Sequence, residues 1–433
     1  MPRAVVHPVV RFAACLAFAL ALLAGHPLAA AAPVATQPKG SLVIIGGALR
    51  ADNSTVWERM VQLAGGKGAR IAVFASASAS PEKTGKFLVD RFNQYGAKAF
   101  FVPVAVRLSG IDYQAAADDP ALAAAVRSAG GAFFAGGDQG RITRALRRAD
   151  GSNTRMLDAL WDMYRRGGML AGSSAGAAIM SSTMFGHPKP VLATMKLGLD
   201  EGKEIAPGLG FIGDDVFIDQ HLLVRGRFAR MVPAMLKKGY KIGLGIDENT
   251  AMVVGPNREV EVIGYRGALL VDLSKAEPRD GPLNISNVRL SYLDNGDRFN
   301  LQTQTFTPAP DKAENRVDPA RPYYREPLFS ADILGNSTVV DLMAKLIDSD
   351  QPEAIGLSLD SPNGVQPDLG FEFKLTRTGD SVGYQSIFTE QYSVYNMRLD
   401  IRPIVVQRPL YQYRQVESVA GGSGGAGRID AAN

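Results

Sequence analysis

From residue 41 onward, short continuous apolar runs alternate with amphipathic stretches. SLVIIGGAL, RIAVFASAS, KAFFVPV, GAFFAGGDQ and GMLAGSS read as buried strands, most of them ending in glycine or serine. Between them the apolar positions recur at helical spacing over 54–63, 81–95, 113–129, 139–148 and 156–166. Asn53 or Ser54 can cap the first of these helices, and Ser80 the second, with Pro81 at its first position. Strands that are apolar throughout, with a helix between each pair, predict a mostly parallel sheet covered on both faces. DVFID and KIGLGID add strands with a helix over 225–238 between them, and AMVVG and VEVIGYRGALLVDL predict a closing antiparallel hairpin.

Past residue 275 the period changes to two. VRLSYL and RFNLQTQTF alternate, turn signals (RDG, DNGD, TPAP) interrupt them, and strands are predicted over 371–377, 381–388 and 393–406 with one helix over 338–348. The expected organisation is an α/β domain over 33–275, a β-rich C-terminal region over 276–419, and a Gly/Ser-rich tail over 420–433 that should be disordered. The first 32 residues are set apart. Arg3 and Arg11 precede and flank a short apolar run, FAACLAFALALLAG, and HPLAAAAP offers small residues at cleavage spacing. This is a secretory signal, with cleavage expected near Ala30 to Ala32. The alternative, an uncleaved anchor, asks for an apolar span of about 20 residues, and the run is shorter. The mature protein is therefore expected outside the cytoplasm, extracellular or periplasmic, and free of the membrane.

Composition adds exclusions. Of 433 residues, 46% are hydrophobic and 21% charged, which is globular. The formal charge of +4 falls to +2 once Arg3 and Arg11 are removed (4 − 2), too little to suggest a nucleic-acid partner. The single cysteine, Cys15, lies within the signal, so the mature chain has no disulfide, no thiol nucleophile and no cysteine-bound metal.

Candidate chemistry centres on Gly172-Ser173-Ser174-Ala175-Gly176, between a strand and a helix. Small residues at this spacing allow a sharp turn that holds a serine up, with the following amide available for an oxyanion. Ser174 occupies that position; a plain packing turn would use the same residues. A serine needs a base, and beyond the signal there are only two histidines. His187 sits in a proline-flanked loop, whereas His221 ends the strand DVFIDQ, where α/β sheets gather their sites. The third group, which orients the imidazole, stays open among Asp247, Glu248, Asn249 and Asp219. The glycine turn in FFAGGDQ places Gly137 and Gln139 near the serine, and the amides of Gly137 and Ala175 can form the oxyanion site. Arg225, Arg227 and Arg230 follow His221 closely and suit carboxylate binding.

At these residues the chain resembles the cyanophycinases, a serine peptidase family that includes aspartyl dipeptidase. The resemblance covers about 39–273 and rests on FFAGGDQ, AGSSAGA, the run DQHLLVRGRFAR and GIDENTA, in that order. It implies a class I glutamine amidotransferase-like fold, with Ser174 as nucleophile, His221 as base and Glu248 as orienting acid. It also implies a substrate groove lined by Gln139, Asp219, Gln220, Arg225, Arg227 and Arg230, and no metal or cofactor. The implied substrate is cyanophycin, an aspartate backbone with arginine joined to each side-chain carboxyl, cleaved to β-aspartyl-arginine dipeptides. The signal and the long C-terminal region resemble the secreted branch, and a homodimer is an expectation. Alternatives are a peptidase for α-aspartyl or isoaspartyl dipeptides, and an inactive polymer-binding homologue. Ser173 and Leu222 depart from the family, which often has threonine and an aromatic there; the C-terminal region lies outside the resemblance.

Overall fold

The computed structural model describes residue 1, residues 38–389 and residues 391–410. Apart from Met1, the expected signal lies outside them, as does the expected disordered tail. The chain first lays down β1 (Ser41–Ile45), α1 (Ser54–Leu63), β2 (Arg70–Phe74), α2 (Pro81–Gln94), β3 (Lys98–Val102), α3 (Tyr113–Asp118), α4 (Pro120–Arg127), β4 (Gly131–Phe134), α5 (Gln139–Leu146), α6 (Arg155–Arg165) and β5 (Met169–Ser173). The five strands pair in parallel in the order β1-β5-β4-β2-β3. Residues alternate between its two faces as pleating requires. Leu42 and Ile44 join Ile142, Leu157 and Leu160 on one side. Val43 and Ile45 join Trp57, Met60 and Phe92 on the other. That two-sided burial is why these strands carry no polar alternation. The predicted single helix over 113–129 is two, because Pro120 has no amide to continue the ladder; Asp119 caps the second by accepting from the amides of Ala121 and Leu122.

After a four-residue helix, α7 (Ala175–Ala178), come β6 (Thr183–Phe185), α8 (Val191–Leu197), β7 (Ile205–Pro207), β8 (Val216–Gln220), α9 (Phe228–Lys238) and β9 (Ile242–Ile246). Then follow β10 (Thr250–Val254), β11 (Glu259–Gly264), β12 (Ala268–Asp272), β13 (Glu277–Pro278), β14 (Ile285–Leu293), β15 (Arg298–Asn300), β16 (Thr305–Thr307) and β17 (Leu328–Ser330). The last elements are α10 (Thr338–Ile347), β18 (Glu353–Ser358), β19 (Leu369–Thr376), β20 (Val382–Gln385) and β21 (Tyr392–Val405).

The expected sheet with flanking helices is present, parallel over its first five strands, and the hairpin of β10 and β11 closes it against β1, antiparallel, so that the whole sheet is mixed. Two assignments differ. The segment VEVIGYRGALLVDL is not one strand: Tyr265 to Gly267 break it, and β12 leaves the first sheet to pair with β9. Accordingly β8 and β9 do not extend the first sheet. They lie parallel to each other at one end of a second sheet, in the order β17-β18-β19-β21-β14-β12-β9-β8. The expected boundary near residue 275 therefore falls inside a shared sheet. Residues beyond it supply the middle of the second sheet and, through β15 and β16, the edge of the first. The described residues from Pro38 onward belong to one compact unit. Phe217, Met231, Val271, Leu290, Leu346, Phe373 and Leu399, drawn from both sides of residue 275, share one buried cluster.

Candidate active site

The site forms where the strand ends of the two sheets meet. In the first sheet, β5 ends at Ser173 and the chain turns at once into α7. Ser174 sits at φ 55° and ψ −108°, a conformation costly for a residue with a Cβ and held here by its neighbours. Its amide donates to the Ile45 carbonyl at 3.0 Å. The flanking glycines are required by close approach: a Cβ on Gly172 would lie 2.1 Å from the Gly176 carbonyl oxygen, and one on Gly176 would lie 2.3 Å from that of Phe134. The helix expected to continue past Ala175 is a single turn, so α7 contributes its first amides and little else.

In the second sheet, β8 ends at Gln220 and β9 at Ile246, side by side and parallel. His221 follows one and Asp247-Glu248 the other. Ser174 Oγ lies 2.7 Å from His221 Nε2. His221 Nδ1 lies 2.6 Å from Glu248 Oε1. A carboxylate only accepts, so Nδ1 carries the proton toward Glu248, and Nε2 is left to accept from the serine hydroxyl. Burial is the first influence on His221 and holds its pKa below the ordinary 6.5; Glu248 opposes this, and the charges of Arg225 and Arg227 reinforce it. A neutral imidazole bonded to a hydroxyl at one nitrogen and a carboxylate at the other is equipped to take a proton.

The first sheet also holds the base in place. The His221 amide donates to the Gly46 carbonyl at 2.9 Å, and the Asn249 amide to the Gly47 carbonyl at 2.8 Å. Gly47 has φ +120°, and a Cβ there would lie 2.2 Å from His221 Cε1. This position was missed by sequence reasoning, which saw only a strand ending in glycines. The two adjacent glycines after an apolar run were the available signal.

On the far side of the serine, Gly136 approaches so closely that a Cβ would lie 3.2 Å from Ser174 Cβ. The amides of Gly137 and Ala175 have no hydrogen-bond partner among the described residues, although Ala175 is fully buried. An unpaired buried amide such as that of Ala175 is uncommon, and with the exposed amide of Gly137 beside Ser174 it is suited to a developing negative charge.

The remaining expected groove residues divide differently. Asp219 and Arg230 were expected to contact substrate, but they bind each other. Arg230 Nε and Nη2 donate to Asp219 Oδ2 and Oδ1, both at 2.8 Å, with side-chain exposures of 5% and 2%. The guanidinium also lies 4.0 Å from the centre of the Phe185 ring. The two charges therefore offset each other within the protein. Arg227 Nη1 donates to both the carbonyl and Oε1 of Gln220 at 2.8 Å, and burial first, then the charge of Arg230, pushes the Arg227 pKa down to about 10. The amide nitrogen of Gln139 donates to the carbonyls of Phe185 and Gly186 at 2.6 and 3.1 Å, tying α5 to the end of β6. Arg225 is the one guanidinium of the three that is exposed, and among the described residues it has no ion pair. Asp247, one of the open choices for the third group, instead accepts from the amides of Leu223 and Val224 and pairs with Arg266 at 3.0 Å. His187 lies beside α5, lining a cleft there.

A parallel sheet that ends in a strained serine, with a base and a carboxylate beyond it, defines a serine-type peptidase, and comparison with known proteins agrees. Residues 42–261 match Peptidase family S51, and the chain belongs to that family. It is 32% identical over 276 residues to the cyanophycinase of Geminocystis herdmanii, covering 61% of this chain and 95% of that protein. It is 30% identical over 280 residues to the cyanophycinase of Trichormus variabilis, covering 63% and 89%. Among solved structures, a peptidase from an acI-B1 actinobacterium superposes with a TM-score of 0.41 at 22% identity, over 54% of this chain and 91% of that one, a likeness too loose to build on.

Proposed function

We propose that the protein is a secreted serine exopeptidase that hydrolyses cyanophycin to β-aspartyl-arginine dipeptides. The observation that carries the reading is the unbroken contact from Ser174 Oγ to His221 Nε2 and from His221 Nδ1 to Glu248 Oε1. His221 takes the hydroxyl proton as Oγ bonds to a backbone carbonyl carbon beside a β-linked aspartate. The oxyanion is held by the amides of Gly137 and Ala175. The tetrahedral species then collapses: the C–N bond breaks, the imidazolium proton passes to the leaving nitrogen, and an acyl-enzyme remains. Water attacks that ester, giving its proton to His221, which returns it to Oγ as the acid leaves. Glu248 keeps the tautomer and stabilises the imidazolium without itself being protonated.

The choice of substrate is supported by the cyanophycinases to which the chain is similar. Incubation of purified protein with cyanophycin, followed by mass analysis, should show β-aspartyl-arginine, and Ser174→Ala should lower turnover by at least about a thousandfold. Free α-aspartyl or isoaspartyl dipeptides cleaved in preference to polymer would favour the related peptidase activity. Binding without turnover by the unaltered protein would favour a polymer-binding homologue. Export is tested by locating the protein, and the new N-terminus, in the producing cell.

A further inference from the structure

With Arg230 neutralised by Asp219 and Arg227 held by Gln220, Arg225 is the one unpaired guanidinium of the three left on the His221 side of the site. More positive charge lies on the other side of the serine. A cleft of about 500 Å³ opens along α5, beginning at Asp138, the residue after Gly137, and bounded by Gly186, His187 and Lys203. Arg144 and Arg147 line it, and a smaller adjoining hollow adds Arg107 and Arg141. Its acidic content is small: Asp138 is engaged by the Gly140 amide and by Arg141 at 3.4 Å. Arg148 at the rim is paired with Asp118. Arg107, Arg144 and Lys203 have no ion pair or side-chain hydrogen bond among the described residues, and all three are exposed. Arg147 has a buried Nε without a partner, and its terminal nitrogens reach only carbonyls at 3.5 Å. None of Arg107, Arg144, Arg147 and Lys203 has an ion pair with a carboxylate among the described residues.

We propose that this cleft is a carboxylate-binding subsite that holds the chain beyond the residue being cleaved, with Arg107, Arg144, Arg147 and Lys203 as its cationic contacts. The inference deepens the proposed function and rests on it for the identity of the chain: each unit of cyanophycin presents the free α-carboxylate of its arginine. Guanidiniums grip such groups through paired N–H donors, and a row of them holds a repeating anion better than any one alone. The position fits because Asp138 joins the cleft directly to Gly137, so a substrate whose carbonyl sits at the unpaired amides has its neighbouring units along α5.

The test is binding, so that it does not depend on turnover. Full-length Ser174→Ala protein is titrated with poly-L-aspartate, which carries carboxylates and no arginine, at low and at physiological salt. Arg144→Glu combined with Lys203→Glu should weaken binding at least tenfold and flatten its salt dependence. The control pair Lys86→Glu and Arg321→Glu, two highly exposed positions away from the cleft, changes net charge equally. Weakening confined to the cleft pair supports the subsite. Equal affinity for both pairs, or no binding by Ser174→Ala protein, overturns it. Failure of the wild-type protein to cleave cyanophycin would instead overturn the proposed substrate and leave the poly-L-aspartate result to be read by itself.

Discussion

His221 is subject to opposing influences whose signs can be read out separately. Burial and the cations Arg225 and Arg227 depress its pKa, while Glu248 raises it. In the proposed mechanism the working form is the neutral one, so activity is present above the folded pKa and lost as pH falls through it. The acid limb of kcat/KM should therefore lie below 6.5, the ordinary histidine value. Arg225→Gln removes a cation that penalises the imidazolium, so the limb should move to higher pH. Glu248→Gln removes the opposing carboxylate, so the limb should move to lower pH, while kcat drops by about 10²- to 10⁴-fold through loss of the tautomer. pH–rate profiles on a short substrate check both signs; shifts in one common direction would contradict the assignment. Gly47 makes a second residue-scale case. Gly47→Ala places a methyl into the imidazole and forces alanine into φ +120°. Activity should fall at least about a hundredfold, with stability lowered by about 1–3 kcal/mol, seen as a lower Tm. Ser174 and His221 were legible in the sequence because a serine among small residues and a scarcity of histidines are local facts. Gly47 was not, because its constraint comes from a ring delivered by a distant strand.

Elements were legible to the extent that their period states their environment. The five parallel strands read as apolar throughout because both faces are covered, and the C-terminal strands alternate where one face is less enclosed. What period does not state is a strand's partner. β8 and β9 have the composition of parallel strands and are parallel to each other, but they belong to a different sheet from β5. The same limit applies to Asp219. The family resemblance implies a groove residue there, and what the sequence does not show is that β8 turns it inward against Arg230 on α9. The pair joins strand to helix beneath the site. Asp219→Asn leaves a buried guanidinium without its counter-charge and should cost about 3–5 kcal/mol, read as a fall in denaturation midpoint. A substrate contact predicts another result, namely a raised KM with unchanged stability. Measuring both on one preparation separates the two.

At the scale of the whole molecule, the residues beyond 275 cannot be an appendage to a finished peptidase. β14 and β21 occupy the middle of the second sheet, and β12, β9 and β8 reach the rest of that sheet only through β14. The same region touches the site's own scaffolding. Arg266, which pairs with Asp247 next to Glu248, is also bonded to Asn336 Oδ1 at 3.1 Å and Ser337 Oγ at 2.9 Å. Leu334 packs against Gly226 in the loop that follows His221. Cutting the chain after Lys275 would expose the long edge of β12 and strip Leu290, Phe371, Phe373 and Leu399 from a cluster in which each is fully buried. At about 1.5–3 kcal/mol for each large apolar side chain, those four alone approach the whole stability of an ordinary domain. The truncated chain should therefore fail to accumulate as a soluble monomer, with loss of far-UV CD and a collapsed or aggregated profile on gel filtration. A soluble, folded 1–275 fragment that retains peptidase activity would mean that the first sheet holds Ser174, His221 and Glu248 together without the second sheet's centre, contrary to the role the strand pairing gives β14 and β21. A smaller lesion tests the same coupling without unfolding the sheet. Ser337→Ala with Asn336→Ala removes two of the Arg266 contacts at the surface, and the expected result is a lower kcat with little change in Tm, because Asp247 and the turn that carries Glu248 lose their outer support while the buried cluster stays intact.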